Sequence, residues 1–171
     1  MINVLSRSAA VVLLFSNAMS SYAASVESEV SDTDTVVIGA ISEKVTVRVM
    51  GYKNLNGSEK KYGDVYVSTS STVGQLAVTF GPENEPTVTT YPNGPQHFYH
   101  KPTGTIKNAE GDKYQISMDY LFSGKTSING TPWALVAPKF PTVFSALIPT
   151  EEKKLNPGVY PISVRAALYQ Q

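Results

Sequence analysis

The side chains that could do chemistry are few and badly grouped. His97 and His100 are the only two histidines and invite a metal reading. On a strand, positions three apart point to opposite faces. No Asp, Glu or Cys stands beside them at ligand spacing, so surface strand residues are the simpler reading. Glu110, Asp112 and Asp119 could pair as acid and base in glycoside hydrolysis, but nothing in the spacing brings two of them together. The G-x-S-x-G, H-E-x-x-H and phosphate-loop patterns are absent. The chain has no Cys, which removes thiol nucleophiles, zinc thiolates and iron–sulfur ligation. Glu151-Glu152-Lys153-Lys154 reads as a solvated loop. Tyr91, Phe98, Tyr99 and Trp133 could line a carbohydrate surface, although core and cross-strand packing is the commoner use. The residues thus offer no catalytic group, no metal site and no cofactor site, and an enzyme is not expected.

Composition narrows the partners. The 171 residues carry a formal net charge of +0, which argues against nucleic acid or an anionic membrane surface. Only 16% are charged, and the 10 Tyr stand among many Thr, Val and Ser, a strand-favouring mix. Met1 to Ala23 reads as a secretory signal. Arg7 is its only charge, residues 9–15 are an apolar run too short to span a bilayer, and Ser21-Tyr22-Ala23 suits cleavage after Ala23.

Beyond the signal, strands and turns alternate. Val45, Val47 and Val49 alternate with Thr46, Arg48 and Met50, the period of a half-buried strand. Further strands are expected at 65–67, 76–80, 87–91, 97–100, 103–106, 114–122 and 143–148. Asn56-Gly57, Pro92-Asn93-Gly94-Pro95 and Asn108 to Asp112 supply turns. Ser127 to Trp133 reads as a hairpin about Asn129-Gly130, which is a better reading than a glycosylation acceptor. No stretch has a convincing helical period. The pattern predicts an all-β sandwich in one domain, residues 44–171.

Both ends of this domain are unusual. After the Asn156-Pro157-Gly158 turn, Tyr160, Ile162, Val164, Ala166 and Leu168 fall on one face of a long strand with one buried side. Pro161 cannot donate to a ladder, so that end borders a sheet edge or an unfilled groove. Residues 24–43 are left over. Ala24 to Asp34 is acidic and has too little apolar surface to fold alone. Thr35-Val-Val-Ile-Gly-Ala-Ile41 then turns strand-like, with no hairpin turn into Val45. Asp32 and Asp34 lie on the even face, so the odd face, Thr33, Thr35, Val37, Gly39 and Ile41, is the one suited to burial.

Together the two ends resemble the chaperone–usher pilins. Pro157-Gly158-Val-Tyr160-Pro-Ile162-Ser-Val164-Arg-Ala166 is similar to that family's last strand, and the signal, acidic Thr-rich extension and sandwich repeat its layout. The absence of Cys resembles the subgroup assembled by chaperones with a long loop between their F1 and G1 strands. Within that subgroup, Thr35 to Val47 and Tyr160 to Val164 look most like the Saf pilins. Residues 50–150 match only in strand rhythm.

The resemblance implies an incomplete immunoglobulin-like β-sandwich completed by a donor strand from a neighbouring subunit. Thr33, Thr35, Val37, Gly39 and Ile41 would be the donor residues; Tyr160, Ile162, Val164, Ala166 and Leu168 would line the acceptor groove. It implies neighbouring copies, a periplasmic chaperone and an outer-membrane usher as partners, and a cell-surface fimbria as the location. In the resembled subgroup the main subunit can also bind a host receptor, which the sequence does not name. Gly39 departs from the bulky residue similar pilins often carry there. The competing expectation is a monomeric secreted adhesin or carbohydrate-binding module.

Overall fold

Alternating valines set the first strand of the core. In β2 (Val45–Gly51), Val45, Val47 and Val49 are buried while Thr46, Arg48 and Met50 are exposed. The computed structural model describes residues 25–33, 45–92 and 97–170. Besides β2 it contains β1 (Ser25–Thr33), β3 (Gly63–Thr69), β4 (Gln75–Phe80), β5 (Thr87–Pro92) and β6 (Phe98–Lys107). Then follow β7 (Lys113–Asp119), β8 (Gly124–Ile128), β9 (Thr131–Leu135), β10 (Thr142–Pro149) and β11 (Ser163–Gln170). Among the described residues the only helical piece is a 3-10 turn at Pro82–Asn84.

The strands form two sheets. One is five-stranded, in the order β1-β11-β4-β9-β8; the other is six-stranded, β2-β3-β10-β7-β6-β5. Every pairing is antiparallel. The main core lies between the sheets, with Val45, Val47, Val65, Ile116, Met118 and Leu147 from one and Val78, Phe80, Val164, Ala166 and Leu168 from the other. The fold is an all-β, immunoglobulin-like sandwich, as the sequence predicts.

Local chemistry explains most of the connections. Asn129 and Gly130 join β8 to β9 with φ of 51° and 78°. Positive φ at both central residues is the twisted turn that suits a two-residue hairpin, and it explains the Asn-Gly pair. The strands expected separately at 97–100 and 103–106 are one continuous β6. It runs through Pro102 against β5, while regular pairing with β7 starts only at Thr103. Gly104 sits where a Cβ would come within 2.7 Å of the Phe80 ring, so its smallness lets the sheets approach.

One flank of the sandwich is stitched by side chains. Lys125 Nζ of β8 donates to Thr90 Oγ1 of β5 (3.3 Å), which lies 3.0 Å from His100 Nδ1. The β2–β3 side holds a mostly buried carboxylate. Tyr52 Oη donates to Asp64 Oδ2 (2.5 Å), and Lys61 Nζ pairs with Asp64 Oδ1 at 2.7 Å. Burial pushes the Asp64 carboxyl up, but the bonds from Lys61 and Tyr52 outweigh it and hold it below the ordinary carboxylate value. A lowered folded-state pKa stabilises above the unfolded value of about 3.9, and that contribution disappears as pH falls through the folded value. Urea midpoints measured from pH 6 to pH 2 should therefore fall less steeply for Asp64→Asn than for the native chain. Parallel curves would contradict this.

The last strand differs from expectation in one respect. Besides Val164, Ala166 and Leu168 in the main core, Ala167 and Tyr169 are buried on the opposite face. They join Ala77, Ile128, Trp133 and Leu135 in a second cluster. The β8–β9 hairpin covers it. Thr126 Oγ1 of β8 donates to Tyr169 Oη at 3.3 Å, so side chains of the hairpin and of β11 meet on the outer face. Hence β11 is buried on both faces, not one.

Candidate functional site

The approach to β11 is fixed residue by residue. Leu155 N donates to Gly57 O (2.9 Å) and Asn156 N to Tyr114 Oη (2.9 Å). Asn156 Nδ2 and Asn108 Nδ2 both donate to Asp112 Oδ2, each at 3.0 Å. At Gly158 a Cβ would stand 2.9 Å from Asn108 Nδ2, so the glycine of the turn is needed for close approach. Tyr160 packs edge-on against Tyr114, with ring centroids 5.6 Å apart. Its hydroxyl donates to Asn156 O (3.0 Å) and accepts from Asn108 Nδ2 (3.2 Å). Burial, then the neighbouring Tyr114 and Asp112, push that hydroxyl up to about 12. It stays a neutral donor at physiological pH. The Pro-Gly-x-Tyr run is thus a clamp holding the chain before β11 onto the β6–β7 turn.

Asn84 then sets the strand in place. It is 2% exposed and projects from the 3-10 turn. Its Nδ2 donates to Pro161 O (3.1 Å) and Thr105 O (3.2 Å), and its Oδ1 accepts from Ser163 N (2.8 Å). Gly81 N donates to Ser163 O at 2.8 Å. Pro161 has no N–H, and the side-chain amide of Asn84 supplies the polar contacts there until the strand begins at Ser163.

From Ser163 onward β11 has two neighbours. On one side β4 pairs from Val164↔Phe80 to Tyr169↔Gln75. On the other β1 pairs from Thr33↔Ser163 to Ser25↔Gln170, with an irregularity between Val26 and Ser28. β1 is the margin of its sheet and lies beside β2. The side of β11 away from β4 is therefore a seat, filled by an N-terminal strand.

The residues expected to line a groove come together. Ile162, Val164, Ala166 and Leu168 belong to the main core, with Tyr160 partly buried against it. Of the residues expected to donate, Thr33 closes β1 opposite Ser163. Thr35, Val37, Gly39 and Ile41 lie outside the described residues. The acidic stretch was expected to find no place in the chain's own sandwich. The backbone of Ser25–Thr33 is instead paired along β11, since ladder hydrogen bonds are indifferent to side-chain polarity.

The other chemistry does not assemble. His97 is exposed and His100 belongs to the flank contact with Thr90. Asp112 is held by the two asparagines, and Asp119 pairs with Lys101 at 2.7 Å. Glu110 is exposed. Among the described residues no three His, Cys, Asp or Glu are grouped to hold a metal ion. The four aromatics are split: Trp133 is buried in the second cluster, while Tyr91 and Tyr99 stack at 5.3 Å on the other sheet beside Phe98. No described helix is long and apolar enough to cross a membrane.

No protein-family profile and no curated protein matches this chain. Among solved structures it is similar to HdaB, the minor tip subunit of the E. coli Hda pilus. The TM-score is 0.48 and the identity 13%, over 73% of this chain and 83% of that one.

Proposed function

We propose that this chain is a structural subunit of a bacterial surface fimbria that polymerises by strand exchange. Residues 33–41 of one copy add to the β11 edge of the next. The observation that carries the reading is the seat itself. The edge of a core-lining strand, buried on both faces, takes its partner from a segment outside the β2–β11 sandwich. Adding an extended segment to such an edge supplies backbone hydrogen bonds for affinity and alternate side chains for specificity. Val37 and Ile41 would each contribute ~1.5–3 kcal/mol on burial, and each ladder bond roughly 0.5–1.5 kcal/mol net. Donor and acceptor are different surfaces, so the contact does not close and an open filament results. Whenever its seat is open, such a subunit exposes an apolar edge. A periplasmic chaperone and an outer-membrane usher are the partners this predicts.

A second reading is a monomeric secreted adhesin, favoured by the pairing of β1 with β11 of the same chain. Assembly of Val37→Arg, Val36→Arg and Ile38→Arg separates the two. Val37→Arg should leave the subunit folded and stop heat-resistant ladders from forming, with the even-face variants milder. A reversed order would shift the donor register by one residue. Three unaffected variants, or no ladders from the native chain, would leave the monomeric reading.

A further inference from the structure

β11 has no vacant edge in the single chain. β4 takes one side, and β1 covers the other from Ser163 to Gln170, the whole length of the strand. We infer that β1 is an internal block on assembly: Ser25–Thr33 occupies in cis the seat that a second copy must take in trans. This rests on the strand-exchange reading above and adds a step to it, the release of β1.

The two competitors differ in kind. β1 reads SVESEVSDT, with Glu27, Glu29 and Asp32 among nine residues and only Val26 and Val30 as large apolar ones. Thr35-Val-Val-Ile-Gly-Ala-Ile41 carries no charge and has four large aliphatic residues. For a seat along Ile162, Val164, Ala166 and Leu168, the second is the better chemical match. What favours the first is its tether. A segment joined to its own site acts at an effective concentration on the order of millimolar, which a free partner must exceed in affinity. The ladder of β1 is also interrupted between Val26 and Ser28, which weakens its hold near Tyr169. The block is therefore one that a better strand displaces, slowly, and that keeps a lone subunit from exposing a bare edge.

The absence of Cys allows a clean lock. Ser31 and Arg165 are opposite in register, and Arg165 is not one of the seat residues, so Ser31→Cys with Arg165→Cys can be oxidised to hold β1 down. The probe is a fluorescently labelled synthetic peptide of residues 33–41, added to the full-length mature chain. The oxidised lock should bind no peptide and the reduced form should bind as the native chain does. Val30→Pro, which removes a ladder donor from β1, should bind about tenfold faster or more, because apparent affinity scales with the fraction of chains whose seat is open. Amide exchange of β11 should be slow in the native chain and faster in Val30→Pro, while β7 stays protected in both, which confirms that the variant folds. Equal peptide binding to oxidised and reduced lock, or an unchanged rate in Val30→Pro, overturns the block but leaves strand exchange standing. Peptide binding to none of the proteins overturns strand exchange itself, and the block with it.

Discussion

Val164→Asp is expected to remove the folded protein. Val164 is fully buried, between Phe80 on β4 and Asp32 on β1 in the ladder. A carboxylate there has no cation within the main core and must either stay charged in an apolar surround or take up a proton. Either route costs several kcal/mol, against a total stability of roughly 5–15 kcal/mol for a domain of this kind. Val164→Ala, which leaves only a small cavity, should cost about 2 kcal/mol and fold. Val159→Asp makes the same chemical change five residues earlier, at a position 83% exposed, and should be neutral. Soluble yield followed by urea denaturation measures all three. A folded Val164→Asp with a native midpoint would place this face of β11 outside the core.

Asn84→Ala is the second large effect. It removes three hydrogen bonds at once and leaves Ser163 N without its acceptor. An orphaned buried backbone donor costs ~1–3 kcal/mol, and the two carbonyls left behind add to it. Asn84→Asp should be no better. It keeps an acceptor for Ser163 N but turns a second oxygen toward the carbonyls of Thr105 and Pro161, which only a donor can satisfy. Both variants should lower the urea midpoint and speed amide exchange at Ser163 before the rest of β11. Uniform protection across β11 in Asn84→Ala would show that the clamp at Tyr160 positions the strand without Asn84.

How much of this was legible depends on which physical term decides. The valines of β2 and the Asn-Gly hairpin could be read directly, because burial alternation and positive φ are local demands. The inner face of β11 was legible for the same reason. Its outer face was not. Ala167 and Tyr169 carry no mark of burial, and only the side chains of β8–β9 packed with them decide it. Pro-Gly-x-Tyr could be seen as a turn, but its partners Asn108, Asp112 and Tyr114 come from a distant loop. Asn84 follows a Gly-Pro break and looks like any loop asparagine; nothing local announces that it serves two other segments. The strand at Ser25–Thr33 was the least legible. Its side chains argue against a sheet, whereas the pairing observed belongs to the backbone, which every sequence shares.

The β8–β9 hairpin also gives the molecule an optical reporter. Trp133 is the single tryptophan, fully buried, and the guanidinium carbon of Arg165 on β11 lies 5.2 Å from its ring centroid. Its indole N–H has no hydrogen-bond partner among the described residues. An apolar surround without a polar partner at the ring nitrogen gives short-wavelength emission. A cation stacked on the ring face makes that emission sensitive to where β11 stands. Loss of β11 from the sheet on unfolding should therefore redden the tryptophan spectrum, so denaturation and refolding of this sheet can be followed in real time on the unlabelled protein.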